Sequence, residues 1–223
     1  MTRLKKGLFL KTEKTFTYII LLAVILLLQN CTSHPKARLL KKGDLLFVTA
    51  KETGLSGAIN NVTQKQKEVS FDHIGIAEKE NNQWYVLHAA PKGGSQKQEL
   101  KSFLKDQSDD GQRVMIYRLK PEYQKSVPIA LKKAESMLGK PYNFNYILDD
   151  HSYYCSDYIE RAFRENSIFK LEPMTFIDPK TGKTNEFWST FYAKKNLAVP
   201  EGQPGCNPNG LAASDKLERI GEL

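Results

Sequence analysis

Cys155 is the side chain in this sequence with the most chemistry open to it. Counting from it, Tyr158, Ile159, Ala162 and Phe163 are apolar at the third, fourth, seventh and eighth positions, the period of an amphipathic helix that begins at the cysteine. A thiol there sits at the positive end of the helix dipole, where unpaired N–H groups favour a thiolate and can cradle an oxyanion. Asp150 or Ser152 is available to cap that start. A nucleophilic thiol also needs a base, and histidine is the usual one. The chain has four histidines. His34 and His151 fall in polar connecting stretches. His73 and His88 fall in two strand-like runs separated by one hairpin, so they can stand side by side. A thiol, an adjacent imidazole and a second ring behind it can transfer an acyl group through a thioester.

Each signal has a plainer explanation when taken alone. A cysteine on an amphipathic helix is usually packing, and a histidine in a strand is usually structural. Two histidines and a cysteine can also ligate zinc with one position open, but no short-spaced pair such as Cys-x-x-Cys or His-x-x-x-His is present, and no metal or other cofactor is expected.

The surrounding pattern specifies what must position these groups. Leu45–Val48 is a short apolar run behind Gly43-Asp44 and reads as a buried strand. Residues 54–67 are polar with two glycines and read as a loop or short helix. Residues 73–77 and 84–89 are strand-like, with a charged, Asn-rich hairpin turn over 78–83; Pro91 to Gly94 ends the second strand. Residues 113–118 form another strand. Val127, Ala130, Leu131, Ala134, Met137 and Leu138 recur at helical spacing until Gly139 and Pro141 stop the helix. Beyond Ser167 the chain is turn-rich and reads as an elaborated region wrapped on the same core. Strands early and helices later imply an α+β single domain. Cys206 is left in a disulfide-permissive compartment, and pairing with Cys155 is the rival to a reactive thiol.

The N-terminus carries a different message. Residues 1–15 are basic, and Phe16 to Leu28 is an apolar run of thirteen residues, about 20 Å as a helix and short of the ~30 Å hydrocarbon core. A positive segment followed by a short apolar one is the layout of a secretory signal. Leu28-Gln29-Asn30-Cys31 follows at once and resembles a bacterial lipoprotein processing site, although Asn30 departs from the small residue usual before the cysteine. Residues 1–31 are therefore expected to be a signal segment ending at a lipidated Cys31, residues 32–39 a linker, and residues 40–223 the catalytic domain. The protein is expected on the extracytoplasmic side of the cell envelope, at the outer membrane or the periplasmic face, held by acyl chains on Cys31. The chain's composition, 40% hydrophobic and 26% charged, excludes wholesale disorder and a disulfide scaffold. The net charge is +8, half of it within residues 1–30, so the remainder is only mildly basic and no nucleic-acid partner is expected. A monomer is expected.

The blocks Gly43-Asp44-Leu45-Leu46-Phe47, Asp72-His73-Ile74-Gly75-Ile76, Val86-Leu87-His88-Ala89-Ala90-Pro91 and Tyr153-Tyr154-Cys155-Ser156-Asp157 together resemble the YiiX-type permuted papain-like amidases, the circularly permuted branch of the NlpC superfamily of cell-wall cysteine peptidases. Residues 199–208 resemble that family's C-terminal tail. The order is informative: His73 precedes Cys155 by about 80 residues, whereas papain-like enzymes have the cysteine helix first. The lecithin:retinol acyltransferase group has a similar histidine-first order. The resemblance implies a papain-like α+β domain whose antiparallel sheet packs against the cysteine helix. It implies Cys155 as nucleophile, His73 as general base held with the thiol as an ion pair, and His88 as the group that orients His73. Part of the oxyanion hole would come from the Cys155 N–H, with Tyr153 or Tyr154 as a further donor. It also implies an amidase or peptidase acting on cell-wall peptide, or a lipid acyl hydrolase or acyltransferase acting on acyl amides or lipids. Two residues depart from the family pattern: His88 stands where many members have Glu, and Asp157 stands where Glu is commoner.

Overall fold

The computed structural model describes residues 38–64 and 69–223. The expected export segment, Cys31 and all but the last two residues of the expected linker lie outside the described residues. Among those described, no helix is long and apolar enough to cross a membrane.

Residues 38–223 form one compact unit around a six-stranded antiparallel sheet. The strands are β1 (Leu45–Thr49), β2 (Phe71–Glu80), β3 (Gln83–Ala90), β4 (Gly94–Glu99), β5 (Val114–Leu119) and β8 (Leu217–Glu222), ordered β4-β3-β2-β1-β5-β8. Strand β1 is central and its first four residues are buried, which explains its unbroken apolar run: a strand covered on both faces has no polar alternate. The β2–β3 hairpin turns on Asn81-Asn82, with φ of 44° and 66°, the left-handed region that asparagine tolerates and a tight hairpin requires. Gly43-Asp44 owes its place to structure. The Asp44 carboxylate, buried beside the start of β1, takes two bonds of 2.7 Å from Arg118 Nε and Nη2 and one from the Lys41 N–H.

The two faces of the sheet have different tasks. Leu45, Phe47, Ile74, Ile76, Leu87 and Met115 face the main core. That core is filled by α3 (Val127–Ser136) and α4 (Cys155–Phe163), locked together where Tyr158 Oη donates to the Ala134 carbonyl at 2.7 Å. By strand alternation His73, Gly75, Val86 and His88 share the opposite face, and there Phe103 of α2 (Leu100–Asp109) packs on both imidazoles.

Three elements depart from the sequence reading. Gly94 begins β4 as well as closing β3, and α2 follows at once. Both are polar outside a few anchors, because β4 is an edge strand and α2 buries only Leu100 and Phe103. The C-terminal region is more than a wrapping: after α5 (Glu186–Ala193), the short pair β6 (Glu172–Pro173) with β7 (Pro204–Gly205), and α6 (Pro208–Ala212), the chain returns as β8 and closes the sheet beside β5. Residues 54–63 take the short-helix alternative of the sequence reading, as α1.

Candidate active site

Helix α4 begins at the cysteine, as its periodicity implies. Its cap differs from the expected one. The residue before it, Tyr154, is extended with φ −92° and ψ 166°, and no side chain caps it. Asp150 is drawn instead into an ion pair with Arg161, and Ser152 Oγ donates to Asp149 Oδ2 at 2.7 Å. The uncapped N–H groups are thereby left for the sulfur. The approach loop folds back beside the helix start through the Tyr142–Tyr153 bridge, with Tyr153 N–H donating to the Pro141 carbonyl and Asn143 N–H to the Tyr153 carbonyl.

The Cys155 thiol is 5% exposed. The backbone N–H groups of Cys155, Ser156 and Ile74 support its thiolate, and its sulfur lies 3.8 Å from the Asp72 carbonyl. It is thus seated against the backbone that leads into His73. Burial nevertheless pushes the thiol up to about 12, with Asp72 adding repulsion, and the three N–H groups offset only part of this. The expectation of a depressed thiol at the helix start is therefore corrected: desolvation disfavours the anion more than the helix terminus favours it.

The histidines meet as the hairpin implies. His73 Nε2 and His88 Nδ1 lie 2.8 Å apart with their rings nearly perpendicular. Gly75 makes this possible: a Cβ there would fall 2.4 Å from Val86 Cγ1 and 3.2 Å from His88 Cβ, so the close approach is by the neighbouring strand. Burial holds His73 well below the ordinary imidazole range, with His88 adding to the effect, and lowers His88 to about 4. Burial thus favours a neutral thiol and neutral imidazoles over the ion pair that the resemblance implied.

Neither expected tyrosine offers its hydroxyl to the thiol. Tyr153 Oη donates to the Asp150 carbonyl at 3.2 Å under the Arg161 guanidinium, and Tyr154 Oη accepts from the Cys206 N–H at 3.3 Å. The tyrosine that does face the Cys155 sulfur and N–H is Tyr142, whose ionisation burial suppresses. Sequence spacing gave no sign of it; only the loop bridge brings it there. Tyr146, next to it, adopts φ 56°, and its buried hydroxyl faces that of Tyr142. Cys206 and Cys155 are both free, so they are not bridged. Asp157, the second departure from the family pattern, is fully buried and accepts from Arg161 Nε at 2.6 Å within the helix, while the same guanidinium pairs with Asp150 of the approach loop. His151 is exposed on that loop, and His34 lies outside the described residues.

A cavity of about 830 Å³ opens onto the site, walled by Cys155, Asp72, Tyr142, Tyr146, Tyr154 and Trp188 among others. This combination of a thiol at a helix start, a paired imidazole strand and a pocket fits acyl transfer.

Comparison with known proteins agrees. Residues 39–221 match the model of the family described as permuted papain-like amidase enzyme, YaeF/YiiX, C92 family. Among solved structures, the crystal structure of metalloprotein yiiX from Escherichia coli O157:H7 is similar, with a TM-score of 0.64 over 82% of this chain and 97% of that one. The two share 19% sequence identity, so that likeness speaks to fold. No curated protein matches the chain. The chain belongs to the permuted papain-like amidase family.

Proposed function

We propose that this member of the permuted papain-like amidase family is an exported cysteine hydrolase that cleaves an amide bond in cell-wall peptide, with Cys155 as nucleophile, His73 as base and His88 as its orienting partner. The observation that carries the reading is the 2.8 Å contact between His73 Nε2 and His88 Nδ1 on the strand whose backbone touches the Cys155 sulfur. With Nε2 engaged, Nδ1 is the His73 nitrogen left for the thiol. Because both groups rest neutral, the proton leaves sulfur as attack begins: Sγ–H gives its proton to Nδ1 while sulfur bonds to the carbonyl carbon. The resulting oxyanion is met by the Cys155 N–H and by the Tyr142 hydroxyl. Collapse breaks the C–N bond, and His73 returns the proton to the departing amine. Water, deprotonated by the same ring, then hydrolyses the thioester and frees the thiol. Export and the cell-wall substrate rest on the N-terminal signal and the superfamily resemblance.

One observation favours a second reading, in which a lipid acyl hydrolase or acyltransferase uses the same site. Ile59, Val62, Phe169, Phe176 and Leu211 also line the cavity, and such a wall suits an acyl chain. The name of the yiiX structure mentions a metal. In this chain the facing nitrogens of His73 and His88 are taken up with each other, and the described residues contain no cluster of three metal-ligating side chains. The residues do not fit a metal centre, and no step is routed through one.

The test is acid quenching during turnover with muropeptides and, separately, with acyl lipids, followed by intact mass. An acyl adduct on the wild type that is absent from Cys155→Ser supports the thioester, and the substrate that yields it selects the reading. No adduct and no turnover on either class would reduce the protein to a surface lipoprotein that kept the fold.

A further inference from the structure

The inner ring of the histidine pair is only half accounted for. His88 is 3% exposed; its Nδ1 faces His73, while its buried Nε2 has no partner of ordinary hydrogen-bond geometry among the described residues. Such a group is costly to leave unmade and points to an interaction that tightens during function. On the neighbouring edge strand, Gln96 lies opposite His88 and Gln98 opposite Val86, so Gln98 shares the face of His88 on the diagonal position. The Gln98 amide nitrogen is committed, donating to Asp106 Oδ2 of α2 at 2.8 Å. Its carbonyl oxygen is therefore the end left for His88.

We propose that Gln98 and Asp106 continue the pair as one polar chain, His73–His88–Gln98–Asp106, in which both are positioning residues that fix the His88 tautomer and polarise it toward His73. The proposal rests on the reading of Cys155 and His73 as the reacting pair. The proton assignments run one way along the chain. Asp106, a carboxylate, only accepts, so Gln98 donates its amide N–H outward and presents oxygen inward. Oxygen facing Nε2 requires the proton of His88 on Nε2. His88 Nδ1 is then a lone pair and accepts from His73 Nε2–H, which frees the His73 Nδ1 lone pair for the thiol. When His73 takes the proton of Cys155, each bond of the chain strengthens toward the carboxylate. This supplies, two groups removed, the negative charge that many family members hold as a Glu at the position of His88.

The groups acting on the rings agree with this account. Gln98 and then Asp106 oppose the burial of His88 by favouring its protonated form. Besides burial, the ring of His88 acts on His73, and Asp72 acts on Cys155. Phe103, from the same helix as Asp106, walls the two rings in.

The experiment uses the full chain in detergent micelles. Nitrogen-15 resonances of the imidazoles report the tautomers, and iodoacetamide, an uncharged probe, reports the rate of Cys155 alkylation against pH by intact mass. In the wild type His88 should carry its proton on Nε2. Gln98→Leu should scramble that tautomer. Asp106→Asn should slow Cys155 alkylation near neutral pH about threefold, as expected for loss of one exposed charge at a distance, and added salt should narrow the gap. Gln98→Glu in the Asp106→Asn background brings a carboxylate back against His88 and should restore the rate; a merely structural role for Asp106 predicts no such rescue. An unchanged His88 tautomer in Gln98→Leu, or a wild-type rate in Asp106→Asn, overturns the chain. Failure of the underlying Cys–His reading is a separate outcome: His73→Ala would then alkylate at the wild-type rate whatever the tautomer of His88.

Discussion

At the scale of single residues, the site is governed by desolvation. Cys155 has three N–H groups supporting its thiolate and still rests as a thiol, raised to about 12. The expected consequence is spectroscopic: the 240 nm thiolate absorbance lost in Cys155→Ser should be absent at pH 5–8 and appear only in strongly alkaline solution. A thiolate signal near pH 5 would restore the ion pair. The buried rings have a consequence for stability. His88 falls to about 4 in the fold from an ordinary value of 6.5. Between those values the unfolded chain binds the proton first, so stability is full above pH 6.5 and is lost as pH falls toward 4, by up to about 3 kcal/mol. Asp157 acts in the opposite sense, since burial raises it to about 6 and the fold gains as it protonates. Comparison of the wild type with His88→Gln isolates the imidazole: the variant should lose stability less steeply between pH 6.5 and 4 by chemical denaturation, and parallel slopes would contradict the burial of a neutral ring.

At the scale of elements, the hairpin and the helix start do the positioning. Gly75 is the contact point between β2 and β3, because any side chain there meets Val86 and then His88. Gly75→Ala should cost about 1–3 kcal/mol through overpacking and displace His88 from His73. Val86→Ala in the same chain removes the nearer clash and should recover part of that loss in denaturant midpoint. A Gly75→Ala protein as stable as the wild type would mean that the strands separate easily and that the ring pair is not held by this packing. The sequence made this hairpin legible, since its two apolar runs and Asn-rich turn are local features. It did not make β4 or α2 legible: an edge strand reading Gly-Ser-Gln-Lys-Gln-Glu has no apolar alternate to betray it, and the helix after it buries only two residues.

At the scale of the whole molecule, residues 38–223 form one compact unit, and residues 1–37 lie outside the described residues. The apolar run followed by Leu-Gln-Asn-Cys motivates anchoring through Cys31. Labelled palmitate should enter the wild type and not Cys31→Ala, and a Cys31→Ala protein that still fractionates with membranes would indicate an uncleaved signal anchor instead.

The sequence by itself determined the elements whose pattern is local: the helix that begins at Cys155, the strands carrying His73 and His88, the central β1, and the histidine-first order that marks the permuted family. Periodicity and turn chemistry act over a few residues, so a few residues disclose them. Only the tertiary structure decided which tyrosine faces the thiol, because Tyr142 arrives through a bridge to Tyr153 that no spacing encodes. Only it decided that β8 closes the sheet, since that partner lies about a hundred residues from β5. It also reversed the expected charge state of Cys155. A helix terminus can be read from sequence, but desolvation of the sulfur is a property of everything packed around it, and it is the larger effect here.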